Sequence, residues 1–182
     1  MRHLILTTSR LQLRPCRVAD LPSVYALWKN KHIRQFLFDD QVIAVQAARE
    51  LIEDSNSNFE QYGYGLWLVY AYVNLRLRFL IGFTGAMCSE SVPCLVYGIH
   101  PYFQGRGYAT EAANAVIHYL LGRLAYPRII ADVDAPNLAS IRVLQKLNMT
   151  QIEQDDAQQP SLLYFERCNL ADSSVKQRNF TL

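Results

Sequence analysis

Apolar and polar residues recur with two periods along this chain, and those periods predict its secondary structure. The alternation Arg-Leu-Gln-Leu-Arg at residues 10–14 is typical of a half-buried strand. Two runs rich in β-forming residues, separated by a short turn, predict a hairpin at 66–73 and 79–87. Further strands are expected at 94–99, 128–134, 150–153 and 161–168.

Apolar residues at helical spacing predict four helices between these strands. Asp20 with Pro22 marks the first helix start, and the second spans 45–54 before a polar run at 55–58 that is expected to be a loop. The third covers 107–122, and the fourth begins after Asn137. This order predicts an α/β fold, a mixed sheet with helices on both faces, and is too irregular for a Rossmann or barrel fold.

Composition limits the range of functions. The chain has 182 residues, of which 51% are hydrophobic and 19% charged, so we expect a single domain over 1–170 and a polar tail over 171–182. A net charge of +2 gives no general field for nucleic acid. The apolar runs are too short for a membrane span or a secretory leader, so the expected location is the cytoplasm.

The four cysteines form no recognisable metal or redox motif. Cys16, Cys88, Cys94 and Cys168 contain no C-x-x-C pair, and no histidine lies at zinc-finger spacing from them. Buried, reduced thiols are therefore expected, and no metal site.

A glycine-bearing loop between a strand and a helix is the most informative stretch. The strand ending at Ile99 is followed by Pro101, by Gly105 and Gly107, and by an apolar helix. Glycines let backbone approach a ligand closely, and the first N–H groups of a helix bind anions. The loop lacks the Walker lysine and the three-glycine dinucleotide fingerprint, which argues against ATP or a dinucleotide.

Four segments in order carry a family resemblance. Gln-Gly-Arg-Gly-Tyr-Ala at 104–109 matches the pattern Gln/Arg-x-x-Gly-x-Gly/Ala, and Tyr-Ala-Thr-Glu-Ala follows at 108–112. Asn-Leu-Ala-Ser-Ile-Arg-Val-Leu-Gln-Lys-Leu at 137–147 and Thr-Ser-Arg-Leu-Gln-Leu-Arg-Pro at 8–15 extend the match. Over residues 7–168 the chain resembles the GNAT N-acetyltransferase superfamily, in the branch of the ribosomal-protein alanine N-acetyltransferases.

The resemblance implies a fold and a reaction. The fold would be the GNAT-type acyl-CoA N-acyltransferase fold, with a mostly antiparallel sheet, one splayed central strand pair and helices on both faces. The reaction would be direct transfer of acetyl from acetyl-CoA, as co-substrate, to a primary amine. The implied cofactor-binding residues are Tyr97, Gly98, Ile99, Gln104, Gly105, Arg106, Gly107, Tyr108, Ala109, Thr110, Asn137 and Ser140.

The implied catalytic residues are Ser140 and Tyr97, with the Ser140 hydroxyl protonating the departing thiolate. Arg106 could contact phosphate or lie in solvent, and Asn137 could cap its helix as well as contact the cofactor. Many relatives have a glutamate where this chain has Cys94, and a thiol is a poor base. The base is left open among Glu90, Glu111, Asp132, Asp134 and solvent. Asn148 replaces the usual glycine, and asparagine tolerates the left-handed conformation expected there.

The sequence determines the acceptor substrate less well than the cofactor. Residues 36–40, 62–67 and the closing strands are expected to form its site, and a protein N-terminus, a polyamine, an amino-acid derivative and an antibiotic are all compatible acceptors. A homodimer is left open. The missing glutamate leaves a second hypothesis, a GNAT-fold module that binds acyl-CoA or a protein partner without turnover.

Overall fold

The computed structural model describes residues 4–73, 77–89, 92–153 and 161–169. In chain order they form β1 (Leu6–Thr7), β2 (Leu11–Pro15), α1 (Leu21–Trp28), α2 (Lys31–Leu37), α3 (Val45–Gln61), β3 (Leu66–Tyr72), β4 (Arg78–Ser89), β5 (Val92–Ile99), α4 (Tyr108–His118), β6 (Arg128–Asp134), α5 (Leu138–Lys146), β7 (Thr150–Ile152) and β8 (Leu162–Cys168). The proposed tail at 171–182 lies outside the described residues.

The strands form one mixed sheet in the order β1-β2-β3-β4-β5-β6-β8-β7. Every neighbouring pair is antiparallel except β5 and β6, which are parallel. The α/β fold with a mostly antiparallel sheet is therefore confirmed. Within the described ranges, no helix combines the length and apolar content needed to cross a bilayer.

Two apolar cores cover the two faces of the sheet. Trp67 and Val69 of β3 contribute to the core under α4, whereas Leu66 and Leu68 contribute to the core under α1 and α3. Successive strand residues point to opposite faces, so both faces of β3 must be apolar. This explains why β3 is a continuous apolar run, and it confirms helices on both faces.

The central pair β5 and β6 separates soon after it meets. Its register contains a single Cα pair, Cys94 with Ile130, although β5 continues to Ile99 and β6 to Asp134. Beyond Cys94 the edge of β5 that faces β6 has no strand partner among the described residues. The expected splayed strand pair is therefore present, and it opens a wedge at the carboxyl ends of both strands.

The prediction that residues 55–58 form a loop is wrong, because α3 continues to Gln61. Ser55 is fully buried, and its hydroxyl oxygen accepts a hydrogen bond from the Leu66 N–H at 2.7 Å. Phe59, one turn on, packs edge-to-face against Trp67 with ring centroids 4.6 Å apart. These tertiary contacts override the weak helix propensity of serine and asparagine.

Smaller differences concern short elements and cysteines. The sequence pattern missed β1 and α2, each of which is too short to establish a period. Cys16 is buried as expected, but Cys168 is exposed and Cys94 half-buried, so the expectation of buried thiols is wrong for these two. Asn148 has a φ of 54°, which confirms the left-handed conformation expected after α5.

Candidate active site

The wedge between β5 and β6 is part of a large cleft. Its volume is about 1120 Å³. The glycine loop and the first turn of α4 line one part of it, α5 lines a second, and α2 with the ends of β6 and β8 closes the other end. All residues predicted to bind the cofactor line this cleft, with the exception of Arg106.

The glycine loop presents backbone to the cleft. Gly105 and Gly107 have φ angles of 75° and 79°, in the left-handed region that only glycine adopts without strain. Gly107 is also the N-cap of α4, so the first N–H groups of this 11-residue helix begin at the loop. Backbone N–H groups and the helix dipole together favour a phosphate at this position.

Gln104 fixes the start of the loop against the splayed strand. Its side-chain Nε2 donates a hydrogen bond to the carbonyl oxygen of Ile99 at 2.8 Å, which ties the loop to the end of β5. Gly98 also lines the cleft, but glycine is required there for a different reason than in the loop. A Cβ at Gly98 would lie 2.6 Å from the ring of Phe83, so the residue is small because the core beneath it is full.

Tyr97 and Ser140 meet inside the cleft, 43 residues apart in the chain. Their hydroxyl oxygens lie 2.6 Å apart, and the Tyr97 hydroxyl also reaches the Ser140 carbonyl oxygen at 3.2 Å. Burial raises the pKa of Tyr97 to about 12, although the hydrogen bond with Ser140 opposes this. Tyr97 is therefore protonated at neutral pH, and the pair can donate a proton but not remove one.

Asn137 holds the start of α5 in place. Its side-chain oxygen accepts a hydrogen bond from the Ser140 N–H at 3.1 Å, as an N-cap does. The same bond orients Ser140, which lies in the first turn of α5. The capping role is thus present in the structure, and Asn137 also lines the cleft, as contact with a cofactor would require.

Arg106 points to an aromatic surface and does not line the cleft. Its guanidinium lies over the rings of Tyr102 and Phe103, 5.5 and 6.0 Å from their centroids. Arg106 is exposed, as the solvent alternative expected, and its stacking on the two rings is an addition that the sequence did not indicate. His100 caps the turn before the loop, because its Nδ1 accepts a hydrogen bond from the Tyr102 N–H.

Cys94 is a neutral thiol. Its sulfur donates a hydrogen bond to Oδ1 of Asp132 at 3.1 Å. Burial raises the pKa of Cys94 to about 12, with the charge of Asp132 adding to the effect. The thiol is therefore protonated at neutral pH and has no basic function, in agreement with the sequence-based view that it is a poor base.

Glu111 is committed to hydrogen bonds elsewhere. Its carboxylate accepts from the Thr8 hydroxyl at 2.5 Å and from Arg10 Nε at 2.6 Å. Burial alone would raise the pKa of Glu111, but these bonds outweigh it and hold that pKa below its usual value. Glu111 is therefore a structural carboxylate, and Glu90 lies outside the described residues.

Asp134 has the opposite environment. It lies at the end of β6 in the cleft, where burial raises its pKa, and the charges of Asp39 and Asp132 raise it further. Asp39 comes from the loop after α2, 95 positions earlier, so no local pattern could have joined these carboxylates. In the described ranges no group of three or more His, Cys, Asp and Glu residues is arranged to hold a metal ion.

Part of the region expected to form the acceptor site lies along the cleft. Phe36, Leu37 and Asp39 line the cleft together with Ser161 and Leu162 at the start of the last strand. Residues 62–67 do not, because Tyr64 and Trp67 are buried in the core under α4. Of the segments expected to form the acceptor site, the cleft therefore includes residues from α2, its following loop and the start of β8, and not residues 62–67.

The fold and the sequence together identify the class of protein. The profile of the acetyltransferase (GNAT) domain matches residues 10–150, so the chain belongs to the GNAT acetyltransferase family. Among curated relatives, the uncharacterized N-acetyltransferase YnaD of Bacillus subtilis (strain 168) is 22% identical over 144 residues, 79% of this chain and 81% of its own length. YjdG of the same organism, also an uncharacterized N-acetyltransferase, is 26% identical over 153 residues, 79% and 88% of the two chains.

Solved structures agree on the fold. An acetyltransferase from Agrobacterium tumefaciens str. C58 has a TM-score of 0.77 at 21% identity, covering 90% of this chain and 93% of its own. RimL, a ribosomal L7/L12 alpha-N-protein acetyltransferase in complex with coenzyme A, has a TM-score of 0.74 at 19% identity, covering 90% and 97%. The suspected branch, which contains ribosomal-protein acetyltransferases, is therefore represented among the structural neighbours.

Proposed function

We propose that this protein is an N-acetyltransferase that transfers acetyl from acetyl-CoA directly to a primary amine. The observation that carries the proposal is the Tyr97–Ser140 hydroxyl pair, 2.6 Å apart, inside a cleft between splayed strands. The glycine loop, with the N-terminus of α4, lines one part of that cleft, and a group of carboxylates lines another.

The described residues fit the cofactor. Gly105 and Gly107 keep the loop free of side chains where a pyrophosphate would meet the N-terminus of α4. The unpaired edge of β5 offers N–H and C=O groups to the amides of pantetheine, which imitate a peptide strand. Bound acetyl-CoA would supply the thioester, whose C–S bond breaks as the N–C bond of the product amide forms.

Ser140 and Tyr97 are proposed to supply the proton that the departing thiolate needs. A thiolate needs a proton as it departs, and a hydroxyl within hydrogen-bond reach can provide it. Ser140 would donate its proton to the sulfur and take up the proton of Tyr97, since the two hydroxyl oxygens lie 2.6 Å apart. Tyr97 would regain, through solvent, a proton released from the acceptor nitrogen. Backbone N–H groups on the free edge of β5 stabilise the negative charge that develops on the carbonyl oxygen.

Asp134 is proposed as the base that removes a proton from the acceptor amine. The amine must lose a proton before it attacks, and a carboxylate whose pKa is raised accepts that proton more readily than an ordinary one. Its neighbours Asp39 and Asp132 favour a cationic acceptor through charge complementarity. Direct proton transfer and transfer through one water are both compatible with this placement.

The acceptor class follows from the amine chemistry. RimL is an alpha-N-protein acetyltransferase for ribosomal L7/L12, and in this chain Phe36, Asp39 and Leu162 line the cleft together with Asp134. A protein N-terminus is therefore the first acceptor to test, followed by polyamines, amino-acid derivatives and amine antibiotics.

The test is acetyl-CoA turnover by the purified protein with a panel of peptides and small amines. Release of free CoA thiol that depends on an acceptor, together with an acetylated product by mass spectrometry, is the expected result. Tight CoA binding with no turnover for any acceptor would instead favour the non-catalytic GNAT module. Absence of CoA binding in calorimetry would contradict both the enzyme and the acyl-CoA-binding module, and would leave only a module that binds a protein partner.

A further inference from the structure

Two segments about a hundred residues apart, the opening stretch at 8–10 and Glu111 of α4, form one hydrogen-bond network. Oε1 of Glu111 accepts from the Thr8 hydroxyl at 2.5 Å, the Ser9 hydroxyl at 3.3 Å and the Arg10 N–H at 3.1 Å. Oε2 accepts from Nε and Nη2 of Arg10 at 2.6 and 2.5 Å. The carboxylate is thereby saturated, and it holds the Arg10 guanidinium in one orientation.

The remaining guanidinium nitrogen of Arg10 holds the glycine loop. Nη1 donates a hydrogen bond to the carbonyl oxygen of Arg106 at 3.0 Å, and the guanidinium lies over the Tyr108 ring, 4.7 Å from its centroid. Arg10 thus contacts the residues on both sides of Gly107. A Cβ on Gly107 would lie 3.5 Å from Nη2, which shows how closely the loop lies against it.

This contact sets the direction of one peptide group. In a planar trans peptide the C=O and the following N–H point in opposite directions. Because the Arg106 carbonyl points to Arg10, the Gly107 N–H points away from Arg10. Arg10 itself does not line the cleft, and all three guanidinium nitrogens are engaged. It therefore acts through the loop and not by touching a ligand.

We propose that Arg10 is a positioning residue for cofactor binding, which fixes the 106–107 peptide so that the Gly107 N–H is presented to the pyrophosphate of CoA. Glu111 and Thr8 in turn hold Arg10. This inference rests on the proposed use of CoA. The inference also connects two segments that carry the family resemblance. The opening Thr-Ser-Arg segment and the Thr-Glu-Ala segment of α4 would act together to hold the glycine loop.

The test compares Arg10→Lys with Arg14→Lys. Lysine at position 10 keeps a cation beside Glu111 but has one nitrogen, so it cannot also hold the Arg106 carbonyl. Arg14 lies on β2, where it pairs with Asp20 and Tyr70, and does not line the cleft, so it is the matched control. Calorimetric titration with CoA should give about tenfold weaker binding for Arg10→Lys and a change within about twofold for Arg14→Lys.

A spectroscopic readout separates positioning from a general structural effect. In ¹⁵N-labelled wild type, saturating CoA should shift the Gly107 amide proton downfield as its N–H bonds to phosphate. In Arg10→Lys at saturating CoA this shift should be lost, while thermal unfolding of the free protein stays close to wild type. An unchanged CoA affinity, or an unchanged Gly107 shift, would overturn the inference while leaving the proposed function intact. A wild type that does not bind CoA would overturn both.

Discussion

The two ends of the cleft differ in what forms them. The glycine-loop end, made of the β5 edge and residues 104–110, consists mainly of backbone held by left-handed glycines and a helix N-terminus. The carboxylate end, made of Asp39, Asp132 and Asp134, consists of side chains from two distant segments. On the proposed function, the first end would bind CoA and the second would receive the acceptor amine.

A carboxylate near each end shows the same contrast. Glu111, beside the glycine loop, is surrounded by donors that hold its pKa low, so it remains ionised and supports structure. Asp134 has acidic neighbours and a raised pKa, so it is able to exchange a proton. Environment, and not residue type, therefore separates a structural carboxylate from a candidate base.

The largest effect is expected from Gly107→Glu. A side chain at a φ of 79° strains the loop, and a carboxylate there would repel the pyrophosphate. CoA affinity in calorimetry should fall by about a hundredfold or more. Gly122→Glu is the matched control, because a Cβ at exposed Gly122 has nothing within 4 Å, and its affinity should equal that of wild type. Equal affinities for the two variants would show that the loop is not the anion site.

The hydroxyl pair is tested by Ser140→Ala and Tyr97→Phe. If the two act as one proton donor, each variant should lower kcat by about ten- to a hundredfold with little change in CoA affinity. The double variant should be no worse than the poorer single one, since coupled groups are not additive. Ser57→Ala, on the exposed face of α3, should keep wild-type turnover. If the losses in kcat of the two single variants added fully in the double variant, the two hydroxyls would act independently and not as one proton donor.

A change of charge at the carboxylate end should alter the pH profile. Removal of the like charge in Asp39→Asn makes ionisation of Asp134 easier, so its pKa should fall. The acid limb of kcat/KM should therefore move to lower pH, by about 0.5 pH units. Asp54→Asn, an exposed change of the same charge on α3, should leave the limb in place. A limb that moves equally in both variants would reflect net charge and not Asp134.

The smallest effect is expected from Glu111→Gln, measured as stability. The folded pKa of Glu111 is lowered, so its ionised form stabilises the fold above the unfolded value of about 4.3, and this is lost as pH falls through the folded pKa. Urea unfolding should show a loss of about 1–2 kcal/mol at pH 7, modest because Arg10 is 46% exposed. The loss of unfolding free energy in Glu111→Gln should become smaller at acidic pH. Glu60→Gln, an exposed change on α3, is the control and should show no loss. A deficit independent of pH would contradict the ionic role.

Much of the fold was predictable because its determinants are local. Alternation defined β2, β-forming runs defined the β3–β4 hairpin, and Asn137 capped α5 as its position predicts. The extension of α3 was not predictable, since Ser55 is helical on account of a hydrogen bond to Leu66, eleven residues away. Two-residue β1 was missed because no period can be detected in so short a segment.

The sequence by itself determined the glycine-loop end, because a glycine at positive φ and a helix start are properties of consecutive residues. Only the tertiary structure decided which side chains meet. It joined Tyr97 to Ser140, saturated Glu111 with Thr8 and Arg10, and placed Asp39 beside Asp134. It also turned Arg106 towards aromatic rings and away from the cleft. Such contacts depend on the order and splay of the strands, which bring distant segments together and leave no periodic trace in the chain.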